Sequence, residues 1–206
     1  MKIAHSTARI CVLVGFLLVT GVLAAPPTVR AAPGSPTTVK FNGQSAVAEF
    51  DTVSGGIETF VLVAGTHPSG AASPQMVVVV GQFDVNTGTT LLFASGSTST
   101  ATVQLGPNLS SATASAIVLL TDSVSGNSFE VAVNMAWAAS SPLIHQHNTT
   151  VSHTMGFTSI FHSNASLRDA NASGAVFDGT TNLTPSPSVF AQILRVNSAQ
   201  ITITHT

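Results

Sequence analysis

Residues 127–138, NSFEVAVNMAWA, alternate with a period of two. Phe129, Val131, Val133, Met135 and Trp137 fall on one face, and Glu130, Ala132, Asn134, Ala136 and Ala138 on the other. A helix would spread these apolar residues around its axis, whereas a strand gathers them on one side. Such a stretch folds as a strand with its heavy face toward a core and its light face outward. It needs partner strands beside it and a second layer over the heavy face. Trp137 lies on that heavy face and is expected in the core.

The same grammar runs along the chain. Short runs rich in Val, Ile, Phe, Leu and Thr are separated by Gly, Asn, Asp, Ser and Pro, a strand-and-turn pattern. Strands are expected near 37–42, 45–51, 57–66, 75–85, 88–95, 100–105, 111–121, 127–138, 153–163, 173–178, 189–197 and 199–204. Before the clearest strand, LLTDSVSGNSF places Asp122, Ser123, Ser125, Gly126 and Asn127 between two apolar runs, which is hairpin-turn chemistry. FDVNTGTTLLF repeats the design around Asn86 to Gly88. The runs FVLVAG (Phe60 to Gly65) and MVVVVG (Met76 to Gly81) are apolar on both faces, so they are expected as central strands covered on both sides. No helical crossover is visible for a parallel sheet. The expected fold is therefore all-β, an antiparallel two-sheet β-sandwich, with a flattened β-barrel as the alternative.

The start of the chain reads as an export signal. Lys2 and Arg9 precede an apolar run from Ile10 to Ala25 that is short for a membrane span and is followed by small residues. The expected organisation is a signal peptide over 1–24, a flexible leader over 25–38 and a single β-sandwich domain over 39–206. Cleavage after Ala24 or after Ala31 both fit. The only cysteine, Cys11, lies inside the signal. The mature chain then has no thiol for a disulfide, a thiolate zinc site or a cysteine nucleophile. Its roughly 165–180 residues are enough for one self-sufficient core. It is expected outside the cell or at the cell surface, with no membrane insertion once the signal is removed.

Charged residues make up 7% of the chain, too few to coat the surface with ions, so hydroxyls must wet it instead. Cleavage after Ala31 leaves Lys40, Arg168 and Arg195 against eight acidic residues, a net charge of about −5. Three scattered cations do not neutralise a run of phosphates, which excludes nucleic acid as a partner. A protein, glycan or surface ligand remains. No glycine-rich phosphate loop and no G-x-S-x-G elbow is present. Glu49, Glu58 and Glu130 lie in expected strands and are read as facing water or a sheet end. With no Tyr and its one Trp on an apolar face, the chain offers little for aromatic stacking on sugars. A non-enzymatic binding or structural role follows, with no cofactor.

One cluster supports a different reading. LIHQHNTTVSH, from Leu143 to His153, holds three of the seven histidines. His145 and His147 share a face of a strand. A turn at Asn148 to Thr150 would bring His153 across a hairpin to join them, since opposed side chains have Cβ atoms about 4.5–5.5 Å apart. Three imidazoles suit zinc, copper or nickel, so the alternative is a metal-binding protein or metal-dependent enzyme using His145, His147 and His153. Imidazoles titrating near neutrality would also make a pH-sensitive patch. His162 has the opposite parity to His153, and His67 lies in AGTHPSG, read as a turn. Cupins follow H-x-H with a Glu, and copper–zinc superoxide dismutases add a disulfide. The mature chain has neither feature.

Three stretches in order, SGGIETFVLVAG, SFEVAVNMAWAASSPLIHQH and GAVFDGTTNLTPSPSVFAQI, resemble a set of uncharacterised exported bacterial β-rich proteins. The likeness rests on a glycine-led "ET" strand, a strand ending in Trp before H-x-H, and a late DGTTN turn. It implies an exported bacterial β domain and carries no activity.

Overall fold

The computed structural model describes residues 37–69, 73–154 and 157–205. The expected signal peptide and nearly all of the leader lie outside the described residues. Eleven strands are formed among the described residues: β1 (Thr37–Ser54), β2 (Ile57–Pro68), β3 (Gln75–Asp84), β4 (Thr89–Thr98), β5 (Thr102–Leu105), β6 (Ser111–Asp122), β7 (Ser128–Ala139), β8 (Ile144–Thr154), β9 (Phe157–Asp178), β10 (Thr181–Asn182) and β11 (Phe190–His205). Several segments expected as separate strands are continuous. The pairs 37–42 and 45–51, and 190–197 and 199–204, each fall within one long strand, and 157–163 joins 173–178 in β9 while 153 and 154 end β8, because Asn, Ser and Gly in extended backbone do not by themselves end a strand.

The chain divides into two compact units. Among the described residues, the larger holds those within 43–146 and 165–195, and the smaller holds 37–42, 147–154, 157–164 and 196–205. The fold is all-β and antiparallel, as expected. Hydrogen-bonded neighbours run β10-β9-β11-β1-β2-β3-β4-β6-β5, and β7 links β6 back to β9. In the larger unit the order therefore returns on itself, so that two sheet layers face each other in a flattened closed arrangement. The join between β4 and β6 rests on two residue pairs, Ala94–Asp122 and Ser95–Thr121.

The core lies between the layers. Ala46, Ala48 and Phe50 of β1 stand beside Val61 and Val63 of β2 and Val78 and Val80 of β3, all buried. Facing them are Ala112, Ala114, Val118 and Leu120 of β6, Val131, Val133, Met135 and Trp137 of β7, and Ala172 and Val176 of β9. The alternation of β7 is realised residue by residue, with its other face exposed throughout. Trp137 is 2% exposed, and its indole N–H donates to the Val47 carbonyl at 2.9 Å. The polar handle of a buried indole is thus satisfied. The doubly apolar strands behave as central strands: Val79 on the second face of β3 is buried and Val77 half-buried. One carboxylate departs from expectation. Glu49 is buried at 8% exposure, because it belongs to the innermost run of β1, where every residue from Ser45 to Phe50 is covered.

Two hairpin turns share one construction, D-x-x-x-G. Gly88 N–H donates to the Asp84 carbonyl and Gly126 N–H to the Asp122 carbonyl, at 2.7 and 2.8 Å. Both glycines have positive φ, 71° and 76°, the left-handed region open to glycine. The aspartate carboxylates close each turn from inside. Asp84 accepts from the Asn86 and Thr87 N–H groups. Asp122 accepts from the N–H groups of Phe93, Val124 and Ser125 and from the Ser125 hydroxyl. The Ser125 hydroxyl first, then the Phe93 and Val124 N–H groups, hold the Asp122 carboxyl well below the usual carboxylate range, at about 2. A folded-state pKa below the unfolded one makes the native state more stable above the unfolded value, and that gain is lost as pH falls toward the folded value. Urea midpoints measured between pH 5 and pH 2 are therefore expected to fall below pH 4. The Asp122→Asn chain should show a shallower decline over the same window.

Candidate functional site

The H-x-H segment lies within β8, which runs unbroken from Ile144 to Thr154. The turn expected at Asn148 to Thr150 is not formed, and His153 does not return across a hairpin. The reason is local. The tight turns of this chain at 55–56, 88, 126 and 179 each use a glycine at positive φ. Asn-Thr-Thr offers none, and two β-branched threonines followed by Val151 favour extended backbone. His147 and His153, six residues apart on one strand, are separated by about 20 Å at a strand's rise per residue. Among the described residues, no three His, Cys, Asp or Glu side chains are grouped to hold a metal ion.

β8 pairs with β9 instead. In the larger unit His145 Nδ1 lies 2.9 Å from the Ser166 hydroxyl. In the smaller unit His162 Nδ1 lies 2.9 Å from the Thr149 hydroxyl. His162 thus finds a hydroxyl partner and not a histidine.

Five polar residues of the larger unit, on five strands, make two linked groups: His145 with Ser166, and Arg195 with Gln44 beside His67. Ser166 of β9 is buried at 6% exposure. Between β9 and β11, Gln192 donates to the Asp169 carboxylate at 3.0 Å. β9 lies beside β11, the strand that carries Arg195. Arg195 in turn meets Gln44 of β1: with the amide oxygen turned toward it, Gln44 accepts from Nε at 3.0 Å and Nη2 at 2.9 Å. Gln44 is paired with His67 of β2. His67 is therefore in a strand and not in the turn expected for it, since β2 runs on to Pro68.

Four of the five have the parity of buried residues on their own strands. Gln44 has the parity of Ala46 and Ala48, His67 that of Val61 and Val63, Arg195 that of Ala191 and Ile193, and Ser166 that of Ala170 and Ala172. β1, β8, β9 and β11 all run on past these residues. His67 and His145 are exposed; Gln44 and Arg195 are half-buried. Close by, Arg168 is used structurally, donating to the carbonyls of Asn108 at 2.9 Å and Ser141 at 3.2 Å. Those bonds tie two loops to β9.

Of the histidines singled out in the sequence, His145 and His67 belong to this set, and Arg195 was named there as one of three remaining cations. Gln44, Ser166 and Arg195 carried one legible signal: each is a polar residue at a core-facing parity near the end of its buried run. What joins them is lateral strand order, which no local pattern encodes. No protein-family model, no curated protein and no solved structure matches the chain.

Proposed function

We propose that the mature chain is an exported, non-enzymatic β-sandwich that binds a ligand at the cell surface or outside the cell. The observation that carries this reading is a set of placed polar side chains: Arg195 held by Gln44 beside His67, and His145 held by Ser166. It combines a half-buried guanidinium with exposed imidazoles. Binding sites join a rigid frame to a few placed polar groups, and here the frame is a set of hydrogen-bonded strands.

Two measurements test the reading. Protein collected from the medium or cell surface of a bacterial host is expected to begin near Ala25 or Ala32 on N-terminal sequencing. An intact Met1 in that fraction would overturn export. In a thermal-shift panel of small anions, neutral sugars and short peptides, at least one class should raise the melting temperature, as ligands of the folded state do. That rise should be lost in Arg195→Gln. A silent panel, or one metal ion per chain in elemental analysis of untagged protein, would replace this reading with a structural or a metal-binding one.

A further inference from the structure

We infer that the hairpin-tip end of the larger unit is an interaction surface for a cationic protein segment that also carries apolar side chains. This surface is separate from the polar groups at Arg195 and His145, and it stands whether or not the binding role proposed above holds.

Strand register gathers the tips. Ser54 is paired with Ile57 and Ile57 with Asp84, so the β1–β2 and β3–β4 turns are neighbours. Thr121 is paired with Ser95 and with Ser128, which brings the β6–β7 turn to the same end of β4. Val131, near the start of β7, is paired with Asp178, the last residue of β9. The tips are also tied together. The Val85 N–H donates to the Gly56 carbonyl and the Ser123 N–H to the Phe93 carbonyl, both at 2.9 Å. The Asp122 carboxylate accepts from the Phe93 N–H at 3.0 Å. A surface built on tied turns loses little conformational freedom when it binds.

The tips carry apolar side chains where turn positions are ordinarily polar. Val53 at the first turn, Val85 at the second and Val124 at the third are each half exposed or more, and Ile57, Leu91 and Phe93 beside them are exposed too. Single exposed apolar residues need no explanation, but a row of them on neighbouring turns marks an interaction surface. Phe60 backs the row from β2, its ring centroid 6.4 Å from that of Phe93.

Charge selects the partner. Glu58 is paired with Val53, Asp84 and Asp122 open the second and third turns, and Asp178 ends β9. The two cations of the larger unit lie away from the tips. Arg195 is held by Gln44, which is paired with His67 at the far end of β2, and Arg168 bonds the carbonyls of Asn108 and Ser141, before β6 and after β7. An acidic end repels a second copy of itself and an anionic lipid surface, and it steers a basic segment inward. The aliphatic tips then meet that segment's apolar side chains, so Lys or Arg alone does not complete the match.

The test is a nitrogen-15 NMR titration of the full mature chain with short peptides of alternating Lys and Leu, alternating Lys and Ser, and alternating Glu and Leu. Sedimentation with phosphatidylcholine vesicles is measured beside it. The Lys–Leu peptide should give saturable shifts at Gly56, Val85, Val124 and Gly126, weakened by added salt. The Lys–Ser peptide should bind roughly tenfold more weakly, about 1.4 kcal/mol, and the Glu–Leu peptide should leave the tips unshifted. A chain carrying Val85→Ser and Val124→Ser should keep its melting temperature and lose a similar factor toward the Lys–Leu peptide. Ile144→Ser, at an exposed apolar residue on β8, should bind it unchanged. The comparison of peptides on the unaltered chain decides the matter even if the double variant does not fold. Equal binding of the Lys–Leu and Lys–Ser peptides would reduce the surface to charge and overturn the inference. Shifts that avoid the tips would overturn it as well. Sedimentation with the vesicles that the double variant abolishes would make the tips a lipid contact instead.

Discussion

Replacing Trp137 by Ala is expected to lower the free energy of unfolding by about 3–5 kcal/mol, the range for truncating a buried large aromatic. Two effects act together. The indole is 2% exposed and is the last buried side chain on the core-facing side of β7, so its removal leaves a cavity between Ala112 of β6 and Ala172 of β9, its cross-strand neighbours. The Val47 carbonyl also loses the indole N–H, and an unsatisfied buried acceptor costs about 1–3 kcal/mol. Trp137→Phe separates the two, because the ring remains while the donor is gone. Equilibrium urea unfolding of the three chains should rank wild type above Trp137→Phe and Trp137→Phe above Trp137→Ala. A loss under about 0.5 kcal/mol for the alanine chain, the range of surface sites, would place Trp137 outside the core.

The second large effect is expected at Gly96. A Cβ added there would fall directly on the carbonyl oxygen of Leu119, with the Leu120 side chain 3.1 Å away. The obstacle is backbone, so β6 would have to move. It would move at the join between β4 and β6, where the ladder is short, two residue pairs beside the contacts of Phe93 with Asp122 and Ser123. Gly96→Ala should therefore cost about 3 kcal/mol, the upper end for overpacking, and should weaken hydrogen-exchange protection along β4 and β6 first. Gly81 is the useful contrast. A Cβ there meets the Phe60 ring and, at 3.0 Å, the Phe83 ring. Phe60 and Phe83 stack with centroids 6.2 Å apart, and both are half-buried. A ring at the surface can swing aside, so Gly81→Ala should cost less than Gly96→Ala. Equal losses at the two sites would mean that the sheet, and not the obstacle, sets the cost.

Much of the strand architecture was legible because it is encoded within each strand. Period two assigned Trp137, Met135, Val133 and Val131 to the core. The two D-x-x-x-G segments announced their turns through an acceptor side chain and a glycine, four residues apart. The Asn-Thr-Thr segment was misread because it lies between polar residues and looks like a loop. Extended backbone tolerates Asn and prefers Thr, and β8 simply continues through it. Glu49 was misjudged for a related reason. General carboxylate exposure is a statement about single residues, whereas its burial follows from its place in a strand at the centre of the sheet order.

By itself, the sequence determined which residues extend, which face each presents and where the tight turns fall, because those properties depend on neighbours two to four positions away. Tertiary structure alone decided which strands lie side by side. His67, Gln44, Arg195, Ser166 and His145 come from five strands scattered from one end of the described chain to the other, and nothing between them along the chain records that they lie near one another. Their nearness follows from lateral strand order, with β8 beside β9, β11 between β9 and β1, and β2 beside β1; β7, which links β6 to β9, closes that order. That closure is set by the total burial of all the heavy faces at once, a sum over the whole core that no single segment carries.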